Sequence, residues 1–205
     1  AFYRKLPVLA VTSTQEESKL GQLIPQVIDR RQQPFDTVRC SEHLQTVKDE
    51  DDAWNVMLKA NRAILELNHH GCGPVHVNLT TRYSNDFHVK ELPAVRKITR
   101  HFHNGELPEL PQGRIAVYIG SHLRWSEAEI AALEDFCKAY DAVAFCDTTA
   151  NYTGKYRVNY NLASYQKTSD GNRHPDLLIH IGDMSDQASQ VGQPKEVWRV
   201  SADGA

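Results

Sequence analysis

The chain has 205 residues, a length that suits one large domain or two small ones. It carries 23 Lys and Arg against 26 Asp and Glu, and the basic residues are scattered, so it lacks the charge pattern of a nucleic-acid-binding protein. No apolar run approaches the ~20 residues that a membrane span needs. We therefore expect neither a nucleic-acid partner nor a membrane partner. No signal peptide is visible, which favours a cytoplasmic protein, but the chain begins at Ala1 rather than Met, so a processed leader stays open.

The four cysteines, Cys40, Cys72, Cys137 and Cys146, are widely spaced and include no Cys-x-x-Cys pair. This spacing does not suit a disulfide scaffold in a chain of this size and favours a reducing compartment. Cys137 falls on the apolar side of a predicted helix, and Cys146 ends an apolar run. We expect both thiols to be buried and unreactive rather than catalytic.

The first half of the chain alternates strand and helix patterns. Residues 6–12 are a short apolar run that predicts a buried strand of a parallel sheet, ended by a polar loop at residues 12–14. Residues 49–69 begin with acidic side chains and continue with apolar residues at helical spacing, which predicts a helix. Residues 71–79, Gly-Cys-Gly-Pro-Val-His-Val-Asn-Leu, predict a strand that begins after a glycine-rich turn. This half therefore shows two clear strands and one helix.

The pattern weakens between the two halves. Residues 84–112 include Pro93, Pro108 and Pro111, which predicts a linker, and a helical pattern is compatible with residues 94–103.

The second half predicts an α/β fold with an open parallel sheet and helices on both faces, Rossmann-like in type. A helix that starts at the N-cap Ser126 follows the first strand. The predicted strands cover residues 114–120, 142–146, 176–182 and 195–201. The residues expected in the core of this sheet are Val117, Val143, Ile179 and Val197.

Two strand ends carry polar residues that could line a ligand site. Residues 120–122 (Gly-Ser-His) and 182–184 (Gly-Asp-Met) each follow a predicted strand. Open α/β sheets bind ligands at the carboxyl ends of their strands, so a cofactor site is one interpretation. Neither segment has a Gly-x-Gly-x-x-Gly run or a P-loop, so simple turns are the alternative.

Two other groups of residues invite a chemical interpretation. In the polar stretch 147–157, Lys155 and Arg157 would meet an anionic substrate, or they form a solvated charge pair in a surface loop. The ten histidines show no His-x-x-x-His pair and no carboxylate at ligand spacing. We therefore expect no metal site in this chain.

Several segments resemble thiamine-diphosphate-dependent enzymes of the acetolactate-synthase-like superfamily. Residues 4–13 (Arg-Lys-Leu-Pro-Val-Leu-Ala-Val-Thr-Ser) are similar to a strand in the middle of its pyrimidine-binding domain, and residues 73–78 (Gly-Pro-Val-His-Val-Asn) to that domain's closing strand. The second half resembles the superfamily's central domain. Residues 194–200 (Pro-Lys-Glu-Val-Trp-Arg-Val) are most similar to the menaquinone-pathway synthases. Acetolactate-synthase-like relatives that act on other 2-oxo acids stay open.

The resemblance implies a domain plan and a chemistry. Residues 1–83 would be the C-terminal half of a pyrimidine-binding domain, residues 84–112 a linker, and residues 113–205 a central Rossmann-like domain. The longer parent protein would use thiamine diphosphate and Mg²⁺ to decarboxylate a 2-oxo acid and join the product to an acceptor, as a homo-oligomer. The resemblance places Gln26 beside the active site, and Gln15 where menaquinone-pathway enzymes carry arginine.

Other parts of the family's site have no counterpart in this chain. The catalytic glutamate precedes the segment that Ala1 matches, and the Gly-Asp-Gly metal motif follows the segment that Ala205 matches. Residues 186–189 (Asp-Gln-Ala-Ser) stand where a Lys-Arg pair binds the substrate carboxylate. We therefore expect this chain alone to be inactive, to bind no cofactor and to hold no catalytic or metal-ligating residue. The alternative is a non-catalytic binding or regulatory module with the central-domain fold.

Overall fold

The computed structural model describes residues 1–25, 27–86, 88–92, 94–160, 162, 174–183 and 194–202. The chain divides into two compact units, Ala1–Phe102 and His103–Ala205, each built around a parallel sheet. The predicted α/β class is therefore confirmed. The finer domain boundaries at residues 83 and 112 stay a prediction. Across the described ranges, no helix is both long and apolar enough to cross a membrane.

The first unit contains β1 (Leu9–Thr14), β2 (Cys40–Leu44), α1 (Glu50–Glu66) and β3 (Val75–Thr80). Within the described part of this unit the sheet has the order β1-β3-β2, and both strand pairs are parallel. Residues 15–39, which connect β1 to β2, are called the crossover below. The described part of the crossover includes a 3-10 turn at Glu17–Lys19. The connection from β2 to β3 is made by α1.

Helix α1 begins where its sequence predicts. The Asp49 side chain accepts a hydrogen bond from the Asp52 amide (2.8 Å), and acidic residues in the first turn complement the helix dipole. The helix packs on β2 and β3, with Ala63 fully buried against the sheet. The apolar cluster that results contains Leu44, Ala63, Val75 and Val77.

Strand β1 differs from its prediction in two respects. It runs to Thr14, so the predicted polar loop at residues 12–14 is wrong. It is also exposed rather than buried, because Leu9 and Val11 keep 45% and 56% of their surface accessible. The cause is that α1 covers β2 and β3, while among the described residues β1 pairs with β3 alone.

Two further features of the first unit depart from the prediction. The sequence of β2, Cys-Ser-Glu-His-Leu, has no apolar run, so this strand was not predicted. No helix forms over the described residues of 94–103. There the Asn61 side chain accepts from the Ile98 amide (2.8 Å) and donates to the Arg96 carbonyl (3.1 Å). These contacts hold the segment along α1 with its backbone groups bonded to a side chain instead of within a helix.

The second unit contains β4 (Ile115–Ile119), α2 (Glu127–Tyr140), β5 (Val143–Cys146), β6 (Arg157–Asn159), β7 (Leu177–Ile181) and β8 (Glu196–Val200). In its described part the sheet has the order β6-β5-β4-β7-β8, with every pair parallel. This is the strand order of doubly wound sheets, with the order reversing between β4 and β7. Strand β6 was not predicted because it is short and its sequence, Arg-Val-Asn, is largely polar.

The predicted core of the second sheet is right at its centre and wrong at one edge. Val117 and Ile179 are buried, and Val143 is half-buried. Val197 is 53% exposed, so its placement in the core is wrong. Trp198, the next residue on β8, packs against the core instead, because alternate residues of a strand point to opposite faces.

The predicted N-cap Ser126 is confirmed, and the structure shows that it forms a capping box at the start of helix α2. The Ser126 hydroxyl accepts from the Glu129 amide (3.3 Å), and the Glu129 carboxylate accepts from the Ser126 amide (2.7 Å). Asp141 ends the helix in the left-handed conformation, with φ 49°. Leu133 and Cys137 face the core.

Candidate functional site

One face of the first sheet carries a row of polar side chains. His76 and Asn78 of β3 alternate with Val75 and Val77, so the two sets point to opposite faces. The parallel register places side chains of β1 and β2 beside His76 and Asn78. The set called the polar face below consists of Thr12, Thr14, Ser41, His43, His76, Asn78 and Thr80.

Asn78 lies at the centre of the polar face and is fully buried, with 0% exposure. Its Oδ1 accepts hydrogen bonds from Thr12 Oγ1 (2.8 Å) and Thr14 Oγ1 (3.2 Å). Its Nδ2 lies 3.0 Å from His43 Nδ1, and His43 Nε2 lies 3.3 Å from Thr80 Oγ1. One amide therefore joins the carboxyl ends of all the strands in the described sheet.

His76 makes the second connection between the strands. Its Nε2 lies 2.8 Å from Thr12 Oγ1, and its Nδ1 lies 2.9 Å from Ser41 Oγ. Because Thr12 gives its one hydroxyl hydrogen to Asn78, His76 must donate from Nε2 and accept from Ser41 at Nδ1. His43 accepts from the Asn78 amide at Nδ1 and therefore also carries its hydrogen on Nε2. The hydrogen-bond partners thus specify two neutral imidazoles.

Burial favours the same neutral forms. Desolvation lowers the pKa of His76 below its ordinary value. Desolvation is also the largest cause of the lowered pKa of His43, where the nearby Glu17 opposes it and Lys59 adds to it. Both rings therefore stay neutral to a lower pH than an exposed histidine does.

The described part of the crossover lies over the polar face. The Thr14 hydroxyl reaches the Ile28 carbonyl at 3.4 Å, and the Ser41 hydroxyl reaches the Arg31 carbonyl at 3.4 Å. Backbone carbonyls outside helices and strands need hydrogen-bond donors that regular secondary structure does not supply. Here the hydroxyl groups of the polar sheet surface supply them. This need explains why β3 alternates valine with histidine and asparagine rather than with a second apolar set.

Charged residues of the crossover form an exposed cluster. The Arg31 guanidinium contacts Asp29 (2.5 Å) and Glu17 (3.0 Å). Hydrogen bonds from Arg31 lower the pKa of Asp29 to about 2. Arg30 donates to the Ser13 carbonyl (3.2 Å), which ties the crossover to β1. Because these ion pairs are exposed, solvent screens them and they contribute little to the stability of the fold.

Of the two glutamines proposed from the sequence as site residues, Gln15 and Gln26, only Gln15 is among the described residues. Gln15 directly follows β1 and is half-buried, and its Oε1 accepts a hydrogen bond from Lys19 Nζ (2.9 Å). Gln26 lies outside the described residues, so the prediction that it faces the site stays a prediction. Beside Gln15, Glu16 forms an ion pair with Arg82, which follows β3.

In the second unit, the two strand ends singled out in the sequence meet. Ser121 after β4 and Asp183 after β7 form an antiparallel bridge through two backbone hydrogen bonds of 2.5 and 2.9 Å. Gly182 has φ +77°, and a Cβ at this position would lie 2.5 Å from the Ser121 carbonyl oxygen. Only glycine fits this close approach without strain.

The bridge occupies the point where ligands usually bind in such sheets. It lies where the strand order reverses, and its hydrogen bonds engage amides that could otherwise bind a phosphate. The open cavity beside it measures about 380 Å³. Arg199, which lines the cavity, is paired with Asp183 (3.2 Å). The geometry therefore favours simple turns over a nucleotide site at these strand ends.

The polar stretch 147–157 makes contacts that stabilise the fold. Lys155 is held by Glu134 of α2, which accepts from its backbone amide (2.9 Å) and pairs with its ammonium (3.2 Å). Asp147 is buried and accepts from the Thr149 amide (2.6 Å) and hydroxyl (2.8 Å), which closes a turn. Arg157 lies in β6. These contacts support the interpretation of a structural loop over that of a substrate clamp.

The described residues contain no group of three His, Cys, Asp or Glu side chains that could hold a metal ion. His69 is bonded to Glu66 (2.9 Å) and stacks on His70. Cys137 and Cys146 are fully buried, and burial raises the pKa of both thiols, that of Cys146 to about 11. The prediction that these two thiols are buried is confirmed, and their lack of reactivity stays a prediction.

Sequence reasoning missed most of the polar face. His76 and Asn78 stood out only as residues that alternate with apolar neighbours. Ser41 and His43 lie in a strand without an apolar run, and Thr12 and Thr14 were assigned partly to a loop. The usable signal was the period-2 pattern Ser-x-His at residues 41–43, which matches His-x-Asn at residues 76–78 once the two strands are paired.

Comparison with known proteins gives a consistent set of relatives, although no protein-family model matches the chain. A protein of Bacteroides thetaiotaomicron named 2-succinyl-5-enolpyruvyl-6-hydroxy-3-cyclohexene-1-carboxylate synthase is 33% identical over 224 aligned residues, which cover 100% of this chain. A protein of the same name from Phocaeicola vulgatus is 35% identical with the same coverage. The chain spans about 40% of the length of each of these relatives. The resemblance to menaquinone-pathway synthases is thereby confirmed.

Proposed function

From its homology over its whole length to the 2-succinyl-5-enolpyruvyl-6-hydroxy-3-cyclohexene-1-carboxylate synthases, we propose that this chain is part of a thiamine-diphosphate-dependent enzyme. The parent enzyme would decarboxylate a 2-oxo acid and join the remaining carbon unit to an acceptor. The observation that carries the proposal is that both compact units fall within the similarity. Thiamine diphosphate, when bound, supplies the carbanion stabilisation that such a decarboxylation needs.

The described residues of this chain do not fit an anchor for the cofactor. A diphosphate is usually held through Mg²⁺ by oxygen ligands, and the described residues form no such group. At the carboxyl edge of the second sheet, the Ser121 and Asp183 amides are engaged in the bridge. We therefore propose that the anchor is supplied by other residues of the parent, and that this chain provides scaffold and substrate-orienting groups.

Gln15 is the described residue best suited to orient a substrate. Its Oε1 is occupied by Lys19, which leaves the two hydrogens of its amide nitrogen to donate. The Lys19 ammonium adds a positive charge at the same strand end, which suits an anionic 2-oxo acid. Gln26 would contribute a second amide, as the family resemblance implies.

We also propose that the first sheet is completed by residues outside this chain. Leu9 and Val11 are exposed on a strand that, in the described part of the unit, pairs on one side alone. An open apolar strand edge normally pairs with further chain. We propose a cytoplasmic homo-oligomer for the parent, in keeping with such sheet completion.

The experiment that tests the proposal uses the parent protein. Sequencing the encoding locus should show the reading frame continuing past Ala205 into a Gly-Asp-Gly motif followed by asparagine. The purified parent, supplied with thiamine diphosphate and Mg²⁺, should release carbon dioxide from a 2-oxo acid. Gln15→Ala should lower kcat/KM about tenfold or more, because a hydrogen bond to a charged substrate is lost.

The matched control is Gln32→Ala, which removes an exposed amide from the same crossover and should leave kcat/KM within about twofold of the parent's value. A frame that stops at Ala205, or a parent that binds no cofactor, would instead favour the non-catalytic binding or regulatory module.

A further inference from the structure

The hydrogen bonds of the polar face form a directed chain. In the order of donation it runs from Ser41 Oγ to His76 Nδ1, from His76 Nε2 to Thr12 Oγ1, and from Thr12 Oγ1 to Asn78 Oδ1. A second branch runs from Asn78 Nδ2 to His43 Nδ1. Each residue in this series can both donate and accept a hydrogen bond, so the direction of donation can reverse along the whole series of hydrogen bonds at once.

The two hydroxyls that face the crossover already have a second acceptor. Ser41 Oγ lies 2.9 Å from His76 Nδ1 and 3.4 Å from the Arg31 carbonyl. Thr14 Oγ1 lies 3.2 Å from Asn78 Oδ1 and 3.4 Å from the Ile28 carbonyl. When the direction of these hydrogen bonds reverses, the hydroxyl hydrogens of Ser41 and Thr14 can turn to the crossover carbonyls with no movement of the backbone.

The reversal is triggered at His43, the imidazole ring at the end of this series of hydrogen bonds. A proton added to His43 Nδ1 faces the Asn78 NH₂ group, and two donors cannot bond each other. Rotating the Asn78 amide by half a turn presents Oδ1 to His43 and turns the NH₂ group towards Thr12 and Thr14. Thr12 then donates to His76 Nε2, and the single ring hydrogen of His76 moves to Nδ1, where it bonds Ser41.

We propose that the polar face is a two-state hydrogen-bond relay in which protonation of His43 reverses the tautomer of the neutral His76 and commits the Ser41 and Thr14 hydroxyls to the crossover. One proton is taken up, and His76 gains no charge. The result is a pH-dependent tightening of the crossover on the sheet. This inference rests on the geometry of the first sheet and is independent of the proposed enzymatic function.

The charges around His43 come from each element that packs against it. From the crossover come Glu17 and Asp29, which raise the pKa of His43, and Arg31, which lowers it. From α1 comes Lys59, whose Nζ donates to the His43 carbonyl (3.0 Å). Desolvation exceeds these effects, so the resting state at neutral pH is the neutral one, and the reversed state is reached on acidification.

The relay is tested by side-chain nitrogen NMR of the intact chain across a pH titration. Long-range ¹⁵N–¹H spectra distinguish the two neutral tautomers of histidine from the imidazolium form. We expect His76 to show its hydrogen on Nε2 at neutral pH and to change to the Nδ1 form with the midpoint of His43. The carbonyl carbons of Ile28 and Arg31 should shift with the same midpoint.

Variants separate the relay from a local effect of charge. Thr12→Val removes the hydroxyl that links Asn78 to His76 and should leave the His76 tautomer unchanged while His43 still titrates. Thr12→Ser keeps the hydroxyl and should restore the change. The matched control is Thr37→Val, which removes a hydroxyl that bonds the Pro34 carbonyl (2.7 Å) away from the polar face, and it should behave as the unmodified chain.

Each of the following results would overturn the proposal: a His76 tautomer that is constant through the titration of His43, a His76 ring that becomes an imidazolium at that midpoint, or a Thr12→Val variant in which the tautomer still changes. Unfolding of the first unit before His43 titrates would also overturn it. If Thr12→Val does not fold, the unmodified chain and the Thr12→Ser and Thr37→Val chains still decide the outcome.

Discussion

Asn78 is the residue on which the polar face depends most. Its amide bonds Thr12, Thr14 and His43 from a fully buried position, so it holds β1 and β2 to β3 through side chains as well as backbone. Buried polar groups stabilise a fold only while all of them are satisfied. Removing the central member therefore leaves its partners without acceptors or donors.

Asn78→Ala should lower the free energy of unfolding of the first unit by about 2–4 kcal/mol, because several buried groups lose their partner at once. Chemical denaturation followed by Trp54 fluorescence, in the first unit, measures the change. Asn85→Ala, at an exposed position, is the control and should change stability by less than about 0.5 kcal/mol. Equal effects of the two substitutions would contradict a central role for Asn78.

A pair of glycines separates backbone strain from close packing. Gly182 and Gly21 have nearly the same φ, +77° and +74°, but a Cβ at position 182 meets the Ser121 carbonyl oxygen, whereas none of the described atoms lies within 4 Å at position 21. Gly21→Ala should cost about 1 kcal/mol, from the left-handed conformation alone. Gly182→Ala should cost about 2 kcal/mol or more, since a clash is added. Thermal unfolding of the two variants measures both losses of stability. Equal losses would show that the Ser121–Asp183 bridge shifts to accommodate the added methyl group without a further loss of stability.

At the scale of elements, the helices are set by local signals and the strands by their neighbours. Helix α2 starts at a capping box whose residues can be read from Ser-x-x-Glu at positions 126–129. Strand β2 contains no such local signal, and it is defined by its ladder with β3 and by the side chains of the polar face.

Ser126→Ala should destabilise the second unit by about 1 kcal/mol, because the Glu129 amide at the start of α2 loses its acceptor. Ser126→Thr keeps the hydroxyl and should retain most of the stability. Urea denaturation followed by Trp125 fluorescence compares the two variants. The expectation fails if Ala and Thr at this position give the same unfolding midpoint.

The same contrast explains which parts of the structure were predictable. Both helices, β3, β4, β5 and β7 follow from caps and apolar periodicity, which are local properties. The burial of β1 and Val197 was misjudged because an apolar residue at the edge of a sheet has the same local pattern as one at its centre. The polar face was missed because its meaning depends on the register between strands far apart in sequence, such as Ser41 beside His76.

At the scale of the whole molecule, buried neutral histidines make stability depend on pH. Desolvation is the largest cause of the lowered pKa of His43, His76 and His180. The unfolded chain binds protons at the ordinary histidine pKa of about 6.5, whereas the folded chain binds them only at lower pH. The associated stability is therefore complete above that value and is lost as pH falls from it towards the folded-state pKa values.

We expect the free energy of unfolding to decrease steadily from about pH 7.5 to pH 5.5. His76→Gln should lower stability at neutral pH but flatten this dependence, because one proton-binding difference is removed. His103→Gln, at an exposed position, should leave the slope unchanged. Denaturant titrations at a series of pH values provide the measurement, and a slope that His76→Gln leaves intact would assign the pH dependence to other groups.

We propose that the chain carries scaffold and substrate-orienting residues of a thiamine-diphosphate enzyme and that its described residues provide no anchor for the cofactor. Calorimetric titration of the isolated chain with thiamine diphosphate and Mg²⁺ tests it directly, with the longer parent protein as the comparison. We predict that the isolated chain binds more weakly than about 1 mM, while the parent binds at low-micromolar concentration, about −8 kcal/mol. Low-micromolar binding to the isolated chain would contradict the claim and place a complete cofactor site within these 205 residues.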